Sequence, residues 1–382
     1  MIKSKQLYRE TPSGIRKLLY FNWPVLLLII TVANFGFLIL YSVADGSLKP
    51  WAEPQIIRFS IGFLIIILIS LIHINFWKKI SLITYLISLL LLIFVLYFGV
   101  TGGGAQRWLD IKFVVLQPSE LMKLALVMLL AAYYDWLKPE RISHIFWVAI
   151  PTVMILLPAG LVIIQPDLGT GLLIAFLGIS VMFLAGVSWW YFIAAFSLIP
   201  VLISTVWISR GKTWQFLTDY QYRRIDTFLD PSLDPLGSGY HITQSKIALG
   251  SGGFTGRGFM QGTQSQLNFL PRNHTDFIFT TLAEEFGFLG AMSLLISYGL
   301  IILFSMISAI SNKSRFGSLL TAGLTINFFS YFSINIAMVM GLAPVVGVPL
   351  PLISYGGSAM LVLLTSFGLM QSAHVHRLRY KN

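Results

Sequence analysis

Val25-Leu26-Leu27-Leu28-Ile29-Ile30 and Phe63-Leu64-Ile65-Ile66-Ile67-Leu68-Ile69 decide the fold class. Neither run alternates with the period of two that a lipid-facing barrel strand needs. Each sits inside a stretch of about twenty mostly apolar residues, the length with which a helix crosses a hydrocarbon core of roughly 30 Å. Such stretches recur, and the sequence predicts ten spans: 21–43, 56–74, 79–99, 119–136, 144–164, 169–187, 190–208, 280–309, 317–341 and 355–373. Of the 382 residues 56% are hydrophobic and 11% charged, more apolar surface than one soluble core absorbs. In lipid every backbone amide needs an internal partner, so the expected class is an all-α integral membrane protein. The chain reads as a single polytopic membrane domain over 1–382, with a large extracytoplasmic loop, 209–279, between spans 7 and 8.

Lysine and arginine set the orientation, because short cytoplasmic loops retain them. They fall at Lys3, Lys5, Arg9, Arg16 and Lys17 before the first span, and at Arg377, Arg379 and Lys381 after the last. Lys78, Lys79, Lys138, Arg141, Lys313 and Arg315 occupy the loops after even-numbered spans. Only Lys49, Arg58, Arg107 and Lys112 lie on short loops of the opposite side. Both termini are therefore expected in the cytoplasm. The net charge of +11 is mostly this sidedness signal, which suits an anionic lipid surface or substrate and speaks against nucleic acid. There is no cysteine, which excludes thiol redox chemistry and thiolate metal sites. Basic residues precede a full-length first span without a short apolar region and small-residue cleavage site, so that helix is expected to stay as an anchor.

Polar residues break the lipid pattern in three short outer segments. Thr101-Gly102-Gly103-Gly104-Ala105-Gln106-Arg107-Trp108 is followed by Gln117-Pro118-Ser119-Glu120-Leu121-Met122-Lys123. Pro118 and Ser119 suit a helix start. Glu120 and Lys123 share a helical face, and ionisable groups at membrane depth are functional candidates; the plainer reading is an ion pair that fixes packing. Gln165-Pro166-Asp167-Leu168-Gly169-Thr170-Gly171 joins spans 5 and 6, with Asp167 placed either to cap the sixth helix or to serve a site. Gly347-Val348-Pro349-Leu350-Pro351-Leu352-Ile353-Ser354-Tyr355-Gly356-Gly357-Ser358 denies a regular helix, so its backbone must be covered by protein or line a cavity. Ser354 and Ser358 are its candidate ligands.

The long loop carries Tyr220-Gln221-Tyr222-Arg223-Arg224-Ile225-Asp226, a helical stretch around Tyr240 to Leu249, and Gly250-Ser251-Gly252-Gly253-Phe254-Thr255-Gly256-Arg257-Gly258. It ends in Gly262-Thr263-Gln264-Ser265-Gln266-Leu267-Asn268-Phe269-Leu270-Pro271-Arg272-Asn273-His274-Thr275-Asp276-Phe277, and Glu284-Glu285 follow in span 8. Glycine-rich backbone beside arginines suits phosphates, although such a loop is often merely flexible. It lacks Walker spacing, which disfavours nucleotide binding.

These motifs, in this order over essentially the whole chain, resemble the SEDS family (shape, elongation, division and sporulation). The resemblance rests on Arg107-Trp108, Gln117-Pro118-Ser119-Glu120 with Lys123, Pro166-Asp167-Leu168-Gly169-Thr170, His274-Thr275-Asp276-Phe277-Ile278-Phe279, Glu284-Glu285-Phe286-Gly287 and the 349–358 segment. The Gly262–Leu267 run and short tails look like the family's elongation members rather than its division members. One departure is visible: the family usually carries glutamate after the proline preceding His-Thr-Asp, where this chain has Arg272.

The resemblance implies a peptidoglycan glycosyltransferase of the bacterial inner membrane that polymerises lipid II during elongation and rod-shape maintenance. It works with a class B penicillin-binding protein and other membrane proteins of the elongation complex. It also implies that the family's essential loop aspartate is Asp276. The chemistry then expected is inverting attack of an acceptor 4-hydroxyl on a donor anomeric carbon, with Asp276 as base, kept ionised by the helix dipole and nearby arginines. Arg107, Lys123, Arg210 and Arg223, with Arg257 behind them, are the candidate cations for the departing pyrophosphate. Glu120, Asp167, His274, Glu284 and Ser354 complete the expected substrate site. No cofactor is required by the sequence; Glu120, Asp167, Asp276, Glu284 and pyrophosphate together suit Mg²⁺ through oxygen ligands, but no spacing demands it. The rival class is a lipid-precursor flippase, which would place ionisable pairs near mid-membrane and pair its broken helices in matched halves. A non-enzymatic scaffold would leave the acidic cluster without a role.

Overall fold

The structure is a computed structural model and describes residues 14–102, 105–110, 115–235, 237–267, 269 and 272–377. The expected helices form α1 (Trp23–Val43), α2 (Ala52–Leu71), α3 (Ile74–Phe98), α4 (Pro118–Trp136), α5 (Ile145–Ile164), α6 (Leu168–Leu184) and α7 (Trp189–Ser209). The long loop folds into α8 (Asp219–Leu229), α9 (Ser238–Ser251) and α10 (Thr263–Gln266), before α11 (Ile278–Ile310), α12 (Arg315–Val339) and α13 (Gly357–Val375) complete the bundle. Eight of the ten long helices can cross a membrane by length and apolar composition alone. Of the other two, α4 carries Glu120, Lys123 and Asp135, and α6 has only 17 residues. Helix starts follow local chemistry: Pro118 opens α4, and the side chains of Asp167 and Ser314 cap α6 and α12.

α4, α12 and α13 form the buried centre, whereas α7 lies at the rim with Ser209 as its one buried residue. Close helix contacts depend on missing side chains. A Cβ on Gly62 would stand 2.2 Å from Leu364 Cδ1, and one on Gly323 would stand 2.7 Å from Val127 Cγ1. Large apolar side chains such as Leu64, Leu90, Phe196 and Ile203 point outward, as they do when lipid is the solvent.

The loops after odd-numbered spans gather at one end. There the segment before α4 forms a small antiparallel sheet that the sequence pattern did not announce, β1 (Val100–Gly102), β2 (Ala105–Asp110) and β3 (Val115–Leu116), ordered β1-β2-β3. Gly103, Gly104 and Lys112 lie outside the described residues, as do the basic residues up to Arg9 and from Arg379. The proline-rich segment is irregular as expected, and its polar backbone is satisfied by side chains from the bundle. Tyr298 donates to the Pro351 carbonyl at 2.6 Å, Asn335 to that of Val348 at 2.7 Å, and Gln55 to that of Ser354 at 2.8 Å.

The glycine-rich loop has a different job from the phosphate-holding one expected of it. α11 breaks at Gly287, whose φ of 64° is left-handed. The loop docks into the break: Arg257 and Gly258 amides donate to the Glu284 and Glu285 carbonyls at 3.0 Å, and Phe288 and Leu289 amides donate to Gly253 and Phe254 carbonyls at 2.9 and 3.1 Å. Groups freed by the interrupted helix are thereby paired.

Candidate active site

A cavity of about 310 Å³ opens at the loop end between β2, the first turn of α4, the 272–276 turn and the 347–359 segment. Arg107, Glu120, Lys123, Thr170, Arg272, His274, Asp276 and Tyr355 contribute to its wall. Sequence reasoning placed Arg107, Glu120, Lys123, His274 and Asp276 in one site, and the fold gathers them from distant parts of the chain.

Asp276 is buried immediately before α11. It is not the helix cap: Phe277 holds that position, and no side chain caps the helix. Its backbone carbonyl accepts a hydrogen bond from Asn335 at 2.8 Å, which ties the turn to α12. Its Oδ2 lies 3.7 Å from Arg272 Nη1. Burial pushes the carboxyl above the usual carboxylate range, and Arg272, Arg107 and Arg224 pull against that without reversing it. The expectation that arginines would dominate is corrected here: desolvation is the larger influence.

His274 stacks on Trp51 with ring centroids 3.8 Å apart, and its carbonyl accepts the Tyr355 amide at 2.9 Å. Burial, then Arg272, lowers its pKa, which favours the neutral ring. Ser354 Oγ donates to the Thr275 carbonyl at 2.6 Å and accepts from the Leu350 amide at 2.8 Å, so this side chain holds the 272–276 turn against the proline-rich segment. Ser358 Oγ accepts from the Gln117 amide at 3.3 Å.

On the opposite wall, Arg107 Nη1 meets Asp167 Oδ2 at 3.1 Å, and Thr170 Oγ1 donates to the same oxygen at 2.9 Å. Asp167 thus caps α6 and also orients Arg107. Arg107 Nε is buried without a hydrogen-bond partner, a donor left over for a ligand. Lys123 Nζ lies 2.9 Å from Glu120 Oε1, and the Tyr331 hydroxyl bonds to both. The pair is a buried ion pair, and it also faces the cavity.

The other candidates lie elsewhere. Arg210 forms a two-pronged pair with Asp226, at 2.9 and 2.5 Å, and Arg223 sits on an exposed face of α8. Arg257 donates to Thr263 Oγ1 at 2.7 Å. Glu284 accepts from the Gln264 amide at 2.9 Å and from Thr263 at 3.2 Å, holding α10 to α11. The four acids considered for Mg²⁺ are therefore spent on separate partners, and among the described residues no three His, Asp or Glu side chains are placed to hold a metal.

Residues missed by sequence reasoning are Arg224, Arg272, Tyr331 and Trp51. Arg224 donates to the Val345 carbonyl at 2.8 Å and to the Tyr220 hydroxyl, and acts on Asp276 through charge. Helical spacing on α8 separates it from Arg223, a distinction open to a reader who knew which face of α8 packs. Arg272 was noticed only as a departure from a pattern.

A family model for FtsW, RodA and SpoVE, described as cell cycle protein, matches residues 22–379. The peptidoglycan glycosyltransferase MrdB of Escherichia coli K12 is 41% identical over 354 residues, covering 92% of this chain and 93% of that protein. MrdB of Helicobacter pylori 26695 is 36% identical over 371 residues, covering 93% and 90%. Among solved structures, a chain from a peptidoglycan synthase complex that coordinates polymerization and crosslinking superposes with a TM-score of 0.80 at 29% identity, covering 93% of this chain and 97% of its own. The rod shape determining protein RodA of Thermus thermophilus gives a TM-score of 0.70 at 25% identity, covering 94% and 98%. With a family match over nearly its whole length, this chain belongs to the FtsW, RodA and SpoVE family.

Proposed function

We infer that this chain is a peptidoglycan glycosyltransferase, and we propose that it polymerises lipid II with Asp276 as the general base. The carrying observation is a buried carboxylate with no capping duty, facing a polar cavity and surrounded by Arg107, Arg224 and Arg272. In the reaction the acceptor GlcNAc 4-hydroxyl attacks the donor MurNAc C1 while Asp276 takes the hydroxyl proton. The C1–O bond breaks, its electron pair leaves on undecaprenyl pyrophosphate, and the α-linked donor becomes a β-1,4 linkage. A base whose pKa is raised accepts that proton better than an ordinary carboxylate. Arg107 and Lys123 supply positive charge to the leaving group.

The distribution of lysine and arginine supports termini in the cytoplasm and a cavity on the outer face of the inner membrane. The crosslinking partner is a class B penicillin-binding protein, in keeping with the complex to which the solved neighbour belongs. The flippase reading would put the ionisable pairs near mid-membrane, whereas the Arg107–Asp167, Glu120–Lys123 and Arg272–Asp276 pairs gather at the loop end. Purified chain given fluorescent lipid II, with the partner synthase present, should build glycan ladders; Asp276→Ala should build none. Transport of lipid II without ladders would overturn the reading.

A further inference from the structure

Arg272 opens the turn that leads to Asp276, and its backbone is in the left-handed region at φ 61°. Its carbonyl accepts the amides of Thr275 and Phe277 at 3.0 and 3.4 Å, a tight turn that brings the guanidinium back to within 3.7 Å of Asp276. The three arginines that act on Asp276 are held differently. Arg107 is fixed by Asp167, and Arg224 by Val345 and Tyr220. The ion pair of Arg272 is with Asp276 itself, and its side chain is 54% exposed against 10% for the aspartate. A long, half-solvated pair of this kind is weak. A diphosphate offers the same guanidinium shorter, forked hydrogen bonds.

We propose that Arg272 is an exchangeable counter-ion: it pairs with Asp276 in the empty site and swings to the diphosphate of the bound lipid-linked donor, unmasking the base only when donor is present. The inference rests on the assignment of Asp276 as base. The other charged or titratable groups around the Arg272–Asp276 pair are His274 on its own segment, His241 on α9, Arg107 on β2, Arg224 on α8, Glu120 with Lys123 on α4, Tyr331 on α12 and Tyr355 before α13. Arg107 and Arg224 are tethered and Lys123 is balanced by Glu120, so Arg272 is the cation whose position distinguishes the two states. Losing a neighbouring cation and gaining a neighbouring anion both raise a carboxyl pKa. The base is therefore stronger in the donor complex than in the free enzyme.

The test is the pH dependence of glycan synthesis by the full-length chain with its partner synthase. The acid limb of kcat/KM reports the free enzyme and that of kcat reports the complex. The wild type should show its kcat limb about one unit above its kcat/KM limb. Arg272→Gln should narrow the separation to the part that the diphosphate alone causes, and raise KM for lipid II roughly tenfold, as loss of a charged hydrogen bond does. Arg272→Lys should restore part of the separation, since an ammonium moves with the charge but lacks the fork. Coincident limbs in the wild type, or an unchanged separation in Arg272→Gln, would overturn the exchange while leaving the polymerase reading intact. A uniform loss of kcat in Arg272→Gln without change in spacing would mark a structural role and overturn it equally. Absence of glycan from the wild type at every pH would remove the polymerase assignment and this inference together.

Discussion

Asp276 sits between two opposing influences, and the larger one decides how the enzyme should respond to acid. Burial raises its pKa, and three arginines lower it by less. A base works only when ionised, so activity is complete above the raised value and lost as pH falls through it. The acid limb of kcat/KM should consequently lie above the ordinary aspartate range of about 4, and a limb at that ordinary range would show that the carboxylate is solvated. The Glu120–Lys123–Tyr331 cluster makes a second residue-scale prediction. Removing one member of a buried pair strands its partner, so Lys123→Met should destabilise the fold by about 3–5 kcal/mol, whereas Glu120→Gln with Lys123→Met should cost distinctly less. Thermal unfolding in detergent compares them, and equal losses would show that the pair is not coupled. At this scale the sequence exposed Asp276, Glu120, Lys123 and Arg107, because ionisable groups near a membrane are conspicuous. It did not expose Arg224 or Tyr331, whose importance comes from which helix face meets the cavity.

Among the elements, α11 shows most clearly where sequence reading stops. Its apolar length was legible as one span, as were the other nine, since lipid imposes a length and composition that eight of the ten helices satisfy alone. The break at Gly287, and its repair by the 253–258 loop, depend on hydrogen bonds between segments some thirty residues apart, which periodicity does not encode. The strands before α4 were missed for the same reason: they are short, and their pairing is what defines them. The break has a sharp steric signature. A Cβ on Gly287 would lie 2.3 Å from the Gly256 nitrogen in a left-handed backbone, whereas Gly299 in the same helix has open space around it. Gly287→Ala should lose roughly 2–4 kcal/mol, with Gly299→Ala close to neutral. Similar melting temperatures for the two variants would contradict the docked-loop account.

For the whole molecule, the question is which side of the membrane carries the cavity and what the cavity does there. The chain has no cysteine, so single cysteines can be introduced without background. Leu233→Cys, on the exposed part of the long loop, should react in intact cells with a membrane-impermeant maleimide; Lys138→Cys, between α4 and α5, should react only after permeabilisation. The reverse pattern would invert the topology. The architecture explains why catalysis is assigned to one end: α4, α12 and α13 form a buried post, the loops after odd-numbered spans close over it, and the proline-rich segment ties Asp276 to α12 through Asn335. The central claim is that this end polymerises lipid II through the Asp276 carboxylate. It is tested most directly by Asp276→Asn, which preserves shape and removes the base, assayed for glycan ladders from lipid II beside a melting curve. The account predicts an unchanged melt or a more stable protein, since a buried charge is gone, and at least a hundredfold loss of polymerisation, in line with removal of a general base; a well-folded Asp276→Asn protein that polymerises at the wild-type rate would contradict it.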